Sequence, residues 1–166
     1  MRPVARAWGA ALLLLPAAWC QAFPRIEAET LAGKELTFPD TGAGNSAVVV
    51  MGFTHASQSQ TMAWGRRLWS EYPAGAPVSV WSIAVLQDVP RLVRGMVSHG
   101  IRGGVPKEHY DRYLLTYRAE AELKQAAGFE QPGDACILLL DAAGNVRWRY
   151  HEPPTDAAAA RLKAAM

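Results

Sequence analysis

The sequence predicts one α/β domain in which a mixed sheet of four or five strands carries helices on both faces. Three runs of mostly aliphatic residues have the length of buried strands, and they occupy residues 47–53, 78–86 and 135–140. Helical patterns lie between these runs, and parallel neighbouring strands require such crossover connections. The chain then closes with a strand, a turn, a strand and a helix, which adds an antiparallel edge to the sheet.

The first half of the chain predicts a hairpin, a long strand and a helix. Residues 31–38 contain a Gly-Lys turn and predict two short strands around it. After the strand 47–53 the apolar period changes, and we expect a helix from Gln58 to about Tyr72. The stretch 73–77, with a proline at each end, terminates this helix before the second long strand.

The second half predicts further helices before the closing hairpin. A short helix over 90–98 is expected after Asp88, which has the position of an N-cap. The stretch 100–106 contains adjacent glycines and predicts a loop. A helical pattern resumes over 107–127, where Gly128 has the position of a C-cap, and an alanine-rich helix ends the chain.

The first 22 residues differ in composition from the rest of the chain. Arg2 and Arg6 form a basic start, an apolar run follows over 9–15, and small residues lie at Cys20–Ala22. This pattern is typical of a signal peptide that is cleaved on export. An uncleaved membrane anchor is the less favoured alternative, because the apolar run is short for a membrane span.

Cleavage would leave one domain over 23–166, which we expect in the bacterial periplasm. A lipoprotein is not expected, because bulky Trp19 lies in the small-residue position before Cys20. Removal of the signal peptide would also leave Cys136 as the sole cysteine. An exported protein with one cysteine forms no internal disulfide, so its stability would depend on its core.

The charge balance argues against nucleic acid as a partner. The whole chain has 17 basic and 15 acidic residues, and the predicted signal peptide contains two of the arginines and no acid. The remaining domain would have 15 of each, whereas nucleic-acid binding requires a net basic footprint.

Two stretches carry a resemblance to the thioredoxin-like superfamily, which covers essentially the whole predicted domain. "ILLLDAAGNVRWRY" looks like the last hairpin of that fold, and "GFTH" at 52–55 is similar to the SCO copper-chaperone branch. In the SCO pattern the two cysteine positions fall on Ala56 and Gln60. In the peroxiredoxin pattern the peroxidatic position falls on Ser57, and a plain C-x-x-C alignment spans Ser57 to Gln60.

Every one of these alignments lacks a thiol. Disulfide exchange proceeds by thiolate attack, and a serine stays protonated near neutral pH. The proline that the fold places before its third strand is also missing, since the aligned position is about Ala135. Cys136 begins an apolar strand and predicts a small buried hydrophobic residue. We therefore expect no thiol redox catalysis and no catalytic residue.

No cofactor or metal is expected either. SCO-like copper sites use two cysteines and a histidine, and soft thiolates are the ligands that select Cu(I). The four histidines have spacings that match no i,i+4 pair and no His-x-His motif.

A further resemblance covers residues 91–166. A Pro-x-x-x-Tyr segment at 106–110 and the Val-Arg-Trp strand at 146–148 look like the mitochondrial ATP synthase assembly-factor family, which chaperones a membrane-embedded subunit. This resemblance implies a thioredoxin-like fold without a working dithiol. The predicted export signal departs from that family and would place this protein outside a bacterial inner membrane.

Residues 91–118 contain more basic than acidic groups. Glu108 and Asp111 oppose six basic residues: Arg91, Arg94, Arg102, Lys107, Arg112 and Arg118. Such a segment is more often a solvated face. The functional alternative is contact with an anionic membrane surface or an acidic partner, which salt would weaken.

These observations predict a non-catalytic thioredoxin-like protein that binds a partner polypeptide as a chaperone or assembly factor. An inner-membrane protein is a candidate partner. The expected binding residues are Thr54, His55, Ser57, Gln58, Gln60, Arg102 and His109. Two alternatives stay open: an enzyme of non-thiol chemistry that uses His55 as its acid–base group, and a degenerate metallochaperone.

Overall fold

The computed structural model describes residues 21–40 and 44–166, so most of the predicted signal peptide lies outside the described residues. The strands in these ranges are β1 (Gln21–Ala22), β2 (Ile26–Thr30), β3 (Glu35–Phe38), β4 (Ser46–Gly52), β5 (Val78–Val85), β6 (Tyr113–Thr116), β7 (Cys136–Leu140) and β8 (Asn145–Tyr150). The α-helices are α1 (Gln58–Glu71), α2 (Arg94–Gly104), α3 (Glu120–Ala127) and α4 (Asp156–Ala165). Short 3₁₀ turns occupy His55–Ser57, Arg91–Val93 and Lys107–Arg112. No helix in the described ranges is long and apolar enough to cross a membrane.

The described strands form one mixed sheet in the order β1-β8-β7-β4-β5-β6-β2-β3. The central strands β4, β5 and β6 are parallel, and the other pairs are antiparallel. The prediction of a mixed α/β sheet with helices on both faces is therefore confirmed. The expected number of four or five strands is wrong, because the described residues contribute eight.

Strand β6 accounts for part of that error. The helix predicted over 107–127 is instead a 3₁₀ turn, then β6, then α3. All four residues of β6 are buried, because the strand lies between β5 and β2 within the sheet. A short run that is buried on both faces has no period that separates strand from helix. Strand β1 is a further addition. The predicted hairpin is present, but its first strand, β2, lies at Ile26–Thr30, earlier than expected.

Helix α2 is also longer than the sequence indicated. The predicted helix ended at residue 98 and a loop followed over 100–106, but α2 continues to Gly104. Asp88 does not cap it, since the preceding 3₁₀ turn begins after Pro90 and no side chain caps α2. Its glycines are accommodated with helical geometry, although glycine weakens a helix interior.

One helix ends at the glycine that the sequence predicts, and the last helix begins at a threonine cap. Gly128 ends α3 with a φ of 65°, in the left-handed region that glycine adopts at low cost. Thr155 precedes α4, and its hydroxyl accepts a hydrogen bond from the amide of Ala158.

The core lies on both faces of the sheet because successive strand residues point to opposite sides. In β4, Val49 and Met51 pack on the face that α3 covers, whereas Val48 and Val50 pack on the opposite face. Helices α1 and α4 cover this second face. Buried Trp64 fixes α1 there, and its indole N–H donates to the carbonyl of Glu152 at 2.9 Å.

Candidate functional site

The candidate site lies where β4 ends and the chain turns into α1. Parallel strands β4 and β5 reach the same edge of the sheet with their carboxyl ends, and ligands of open α/β sheets bind outside that edge. The connection passes through a 3₁₀ turn at His55–Ser57. The first amides of a helix lack partners within the helix, so side chains or a ligand must satisfy them there.

Short polar side chains of this turn form hydrogen bonds within the protein. The Thr54 hydroxyl donates to the carbonyl of Pro132 and accepts from the amide of Ser57. The Ser57 hydroxyl donates to the carbonyl of Thr54 at 2.9 Å, and the Thr61 hydroxyl donates to the carbonyl of Ser57 at 2.8 Å. Ser57 is fully buried. The predicted binding residues Thr54 and Ser57 therefore hold the turn in place and are poorly placed to hold a partner.

Gln60 is also engaged inside the protein. Its side-chain carbonyl accepts from the amide of Ala135, and its side-chain N–H group donates to the carbonyl of His151 at 3.3 Å. Gln60 occupies a cysteine position of the SCO pattern, and Ala135 occupies the expected proline position. A proline at position 135 would have no N–H group to donate. Ala135 has one, and Gln60 accepts its hydrogen bond, so the two departures from the thioredoxin pattern complement each other. Together they join the start of α1 to the segment before β7.

His55 and Gln58 are the predicted site residues that remain exposed beside an open cavity. The cavity has a volume of about 500 Å³ and lies between the start of α1, the ends of β4 and β5, and α2. Most of its lining is apolar, and its larger side chains include Phe53, Met62, Ile83, Leu86, Val97, Ile101 and Tyr113. Its size falls within the range of roughly 300–1,000 Å³ that is usual for ligand pockets.

The ionisable groups of the cavity lie mainly at its rim. Asp88 is exposed, and Glu120 forms an ion pair with Lys124. On the wall, burial raises the pKa of Tyr113 to about 12, so its hydroxyl stays protonated at neutral pH. The His55 imidazole has no hydrogen bond or ion pair with any described residue. The interior of the cavity is therefore neutral and apolar.

Arg102 and His109, the other predicted binding residues, do not line this cavity. The Arg102 side chain donates through Nε to the carbonyl of Leu31 at 3.0 Å. The His109 imidazole stacks on Trp69, with ring centroids 4.4 Å apart, and burial lowers its pKa. These two residues are thus held by other parts of the fold and are not brought together with the turn at 54–60.

Cys136 is the one cysteine among the described residues, and its thiol is buried. Burial, with a contribution from the charge of Asp134, raises the pKa of Cys136 to about 12. The thiolate needed for disulfide exchange is consequently scarce at neutral pH. The described ranges also contain no group of three histidine, cysteine or acidic residues placed to hold a metal ion.

Sequence reasoning missed the apolar wall of the site. It singled out the polar residues 54–60, whereas the larger lining groups come from α1, β5, α2 and β6. The available signal was the apolar pair Val97 and Ile101, which lie four residues apart on one side of α2. The sequence prediction did not recognise this pair, because the expected loop over 100–106 ended the helix before Ile101.

The site and sheet together define a thioredoxin-like fold, and comparison with solved structures supports this class. A member of the Sco family of cytochrome c oxidase assembly proteins, BsSco, is 13% identical with a TM-score of 0.56, covering 89% of this chain and 94% of its own. The exposed lipoprotein thioredoxin Etrx1 from Streptococcus pneumoniae strain TIGR4 is 13% identical with a TM-score of 0.59, covering 86% and 98%. A thiol-disulfide oxidoreductase from Bacteroides fragilis NCTC 9343 is 14% identical with a TM-score of 0.60, covering 88% and 100%.

Identities this low establish the fold alone. No family model matches the chain, and no curated protein matches it. The resemblance of residues 91–166 to the ATP synthase assembly-factor family is not tested by these comparisons and stays a prediction.

Proposed function

We propose that this protein is a non-catalytic thioredoxin-like protein of the bacterial envelope that binds a partner polypeptide in a chaperone or assembly-factor role. The partner would place an apolar side chain in the cavity between α1 and α2. His55 and Gln58 would contact its backbone or polar groups at the rim.

The observation that carries this proposal is an apolar cavity where thioredoxin-type proteins place their thiols. The cavity is open and about 500 Å³ in volume, and its larger side chains are apolar. An apolar cleft with a few polar groups at its rim is the usual form of a binding site. In the neighbouring turn, Thr54, Ser57 and Gln60 form hydrogen bonds to backbone groups of the protein itself.

The lack of an available thiol supports a binding role over a redox role. Ala56 and Gln60 stand in the SCO cysteine positions, and the pKa of buried Cys136 is raised to about 12. A degenerate metallochaperone is less well supported, because the described residues offer no metal ligand cluster. The enzyme alternative needs a group that orients His55, and no described side chain bonds to its imidazole.

Two adjacent glycines allow a matched test of cavity occupancy. A Cβ at Gly104 would point towards the cavity, 3.7 Å from the Met62 methyl, whereas a Cβ at Gly103 meets nothing within 4 Å. Gly104→Phe is therefore expected to fill the cavity, and Gly103→Phe serves as the control of equal bulk. The partner is first identified by photo-crosslinking from Gln58, with Ser70 at the far end of α1 as the control position.

Binding of the identified partner to both variants is then measured by titration calorimetry. We expect Gly104→Phe to weaken binding at least tenfold and Gly103→Phe to leave it within a factor of two. Equal binding by both variants would show that the partner does not occupy the cavity. The wild-type protein is also assayed for reduction of insulin disulfides, and catalysis above the uncatalysed rate would show that the protein is an enzyme after all.

A further inference from the structure

The outer side of α2 and the turn before it expose aliphatic side chains to solvent. Among the described residues the large apolar side chains that are exposed are Leu92, Val93, Met96 and Met166. Three of these four lie within five residues of one another, and Leu92 and Met96 are 99% and 76% exposed. Leu92 lies in the 3₁₀ turn and Met96 in the first turn of α2, so both exposed side chains belong to the start of this helix.

The segment that carries these side chains is basic, and an acid from another strand, Glu29, shares a pocket with Arg94. Residues 89–107 contain no acid and four basic groups, Arg91, Arg94, Arg102 and Lys107, with Asp88 and Glu108 just outside. Arg91 and Lys107 are exposed. Arg94 is held with its guanidinium 4.0 Å from the ring centroid of Tyr117, and Arg102 bonds to Leu31, but both keep their charge near this face.

We propose that this face, formed by Leu92 and Met96 with the basic groups Arg91, Arg94, Arg102 and Lys107, docks on the surface of an anionic lipid bilayer. Leu92 and Met96 would enter the boundary between headgroups and acyl chains, and the basic groups would lie against lipid phosphates. Exposed aliphatic side chains beside basic residues are the features that place a helix in a membrane interface. This inference goes beyond the proposed binding of a polypeptide and rests on a different surface.

The shape of the face favours lipid over a protein partner. A protein hot spot is a side chain that fits a pocket, and it needs a complementary surface around it. Neither Leu92 nor Met96 lines the cavity, and both project into solvent at 99% and 76% exposure. A bilayer requires no groove, because it adapts to a projecting apolar side chain.

Docking through this side would leave the cavity available. Val97 and Ile101 line the cavity, whereas Leu92 and Met96 do not. One helix would then contact lipid with its outer side and form a wall of the cavity with its inner side. A polypeptide close to the bilayer surface could reach the cavity from there.

The test is co-sedimentation of the protein with lipid vesicles. The protein is purified from its host, so that any processing of its N-terminus is that of the cell. Vesicles of phosphatidylcholine are compared with vesicles in which phosphatidylglycerol replaces part of that lipid, at low and high salt. We expect binding only with phosphatidylglycerol, and weaker binding at high salt. Arg91→Gln is expected to lower the partition coefficient about fivefold, and Leu92→Ser with Met96→Ser about tenfold or more.

Lys163→Gln is the control for Arg91→Gln, because Lys163 is also an exposed basic residue but lies on a different helix, α4. If it weakens binding as much as Arg91→Gln, the attraction is general and the docking face is refuted. Absence of vesicle binding also refutes it. If the serine variants bind vesicles normally but lose the identified polypeptide partner, the face binds protein and the inference is wrong. Gly104→Phe should leave vesicle binding unchanged, which separates this result from the test of the cavity.

Discussion

The two walls of the cavity are built in different ways. The wall at the start of α1 is closed by hydrogen bonds, in which Thr54, Ser57 and Gln60 all bind to backbone groups of the protein. The α2 wall has no buried residue and no side-chain cap, and it contains four glycines. The α1 wall is fixed by hydrogen bonds of buried or half-buried polar side chains. The α2 wall is held by half-buried Val97 and Ile101 and by Arg94 and Arg102 at its edges, which contact Tyr117 and Leu31.

This difference indicates which wall can adapt to a bound partner. Regions with few buried contacts open at a lower free-energy cost than regions in the core. The α1 wall stands where related folds carry out thiol chemistry, yet its polar groups are already satisfied. We therefore expect α2 to move when the cavity is filled, and the start of α1 to stay in place. The predictions below test that contrast, from the largest effect to the smallest.

Trp64 anchors the α1 wall and gives the largest expected effect. The side chain is fully buried, its indole donates to the carbonyl of Glu152, and its ring packs against Tyr150. Trp64→Ala is expected to lower the free energy of unfolding by about 3–5 kcal/mol, measured by urea denaturation. Trp64→Phe keeps most of the packing and loses the hydrogen bond, so its loss should be clearly smaller. Equal losses would mean that the hydrogen bond dominates.

Gln60 gives the next largest effect, because it joins α1 to two other segments. Gln60→Ala leaves the amide of Ala135 and the carbonyl of His151 without their side-chain partner. The expected loss of unfolding free energy is about 1–3 kcal/mol by the same measurement. Gln58→Ala is the control, since Gln58 lies two residues earlier and is exposed, and it should change stability by less than about 0.5 kcal/mol. If both variants behave alike, Gln60 does not fix this wall.

The sequence predicts the centre of the fold well and the edges poorly. Strands β4, β5 and β7 are long aliphatic runs, and helix α1 has a clear apolar side, so their patterns leave few alternatives. Strand β6 has four buried residues between two neighbouring strands, and strand β1 has only two residues. Such short strands form because neighbouring strands supply their hydrogen bonds. The local sequence does not show which strands will be neighbours.

The turn at the candidate site could be predicted from the sequence, but the contacts of its residues could not. A buried strand followed by a helix puts a turn at the sheet edge, and the structure has that turn at His55–Ser57. The sequence cannot show that Gln60 faces Ala135, a contact between residues 75 positions apart. The cavity likewise depends on how α2 packs, which follows from tertiary contacts. Polar residues near a helix start therefore indicate a site without showing whether they are free to bind.

Glycine substitutions should have opposite signs on the two helices. Gly100 lies inside α2, and a Cβ there meets nothing within 4 Å, so Gly100→Ala is expected to stabilise the protein by about 0.5–1 kcal/mol. Gly65 lies inside α1, and a Cβ there would approach the Trp69 ring to 3.1 Å. Because Trp69 is also stacked on His109, we expect Gly65→Ala to destabilise by about 1 kcal/mol. Thermal unfolding measures both; stabilisation by Gly65→Ala would show that α1 adapts as readily as α2.

The smallest expected effect is on the pH dependence of stability, and it involves His109. Burial against Trp69 lowers the pKa of His109; nearby Arg112 lowers it further, and Glu108 opposes both. As the pH falls through the ordinary histidine pKa of about 6.5, the unfolded chain therefore takes up a proton before the folded protein does. Protonation then favours unfolding, so the free energy of unfolding should decrease from there towards the lowered pKa.

His109→Phe keeps an aromatic ring on Trp69 and removes the titrating group. We expect it to flatten the decrease in unfolding free energy between about pH 7 and pH 5, measured by urea denaturation at several pH values. His99→Gln on α2 is the matched control, because His99 is exposed, and it should leave the profile as it is. If instead His99→Gln flattens the profile and His109→Phe does not, protonation in acid destabilises the α2 wall first. If His109→Phe alone flattens the profile, the acid sensitivity belongs to the packing behind α1, and α2 can move without contributing to it.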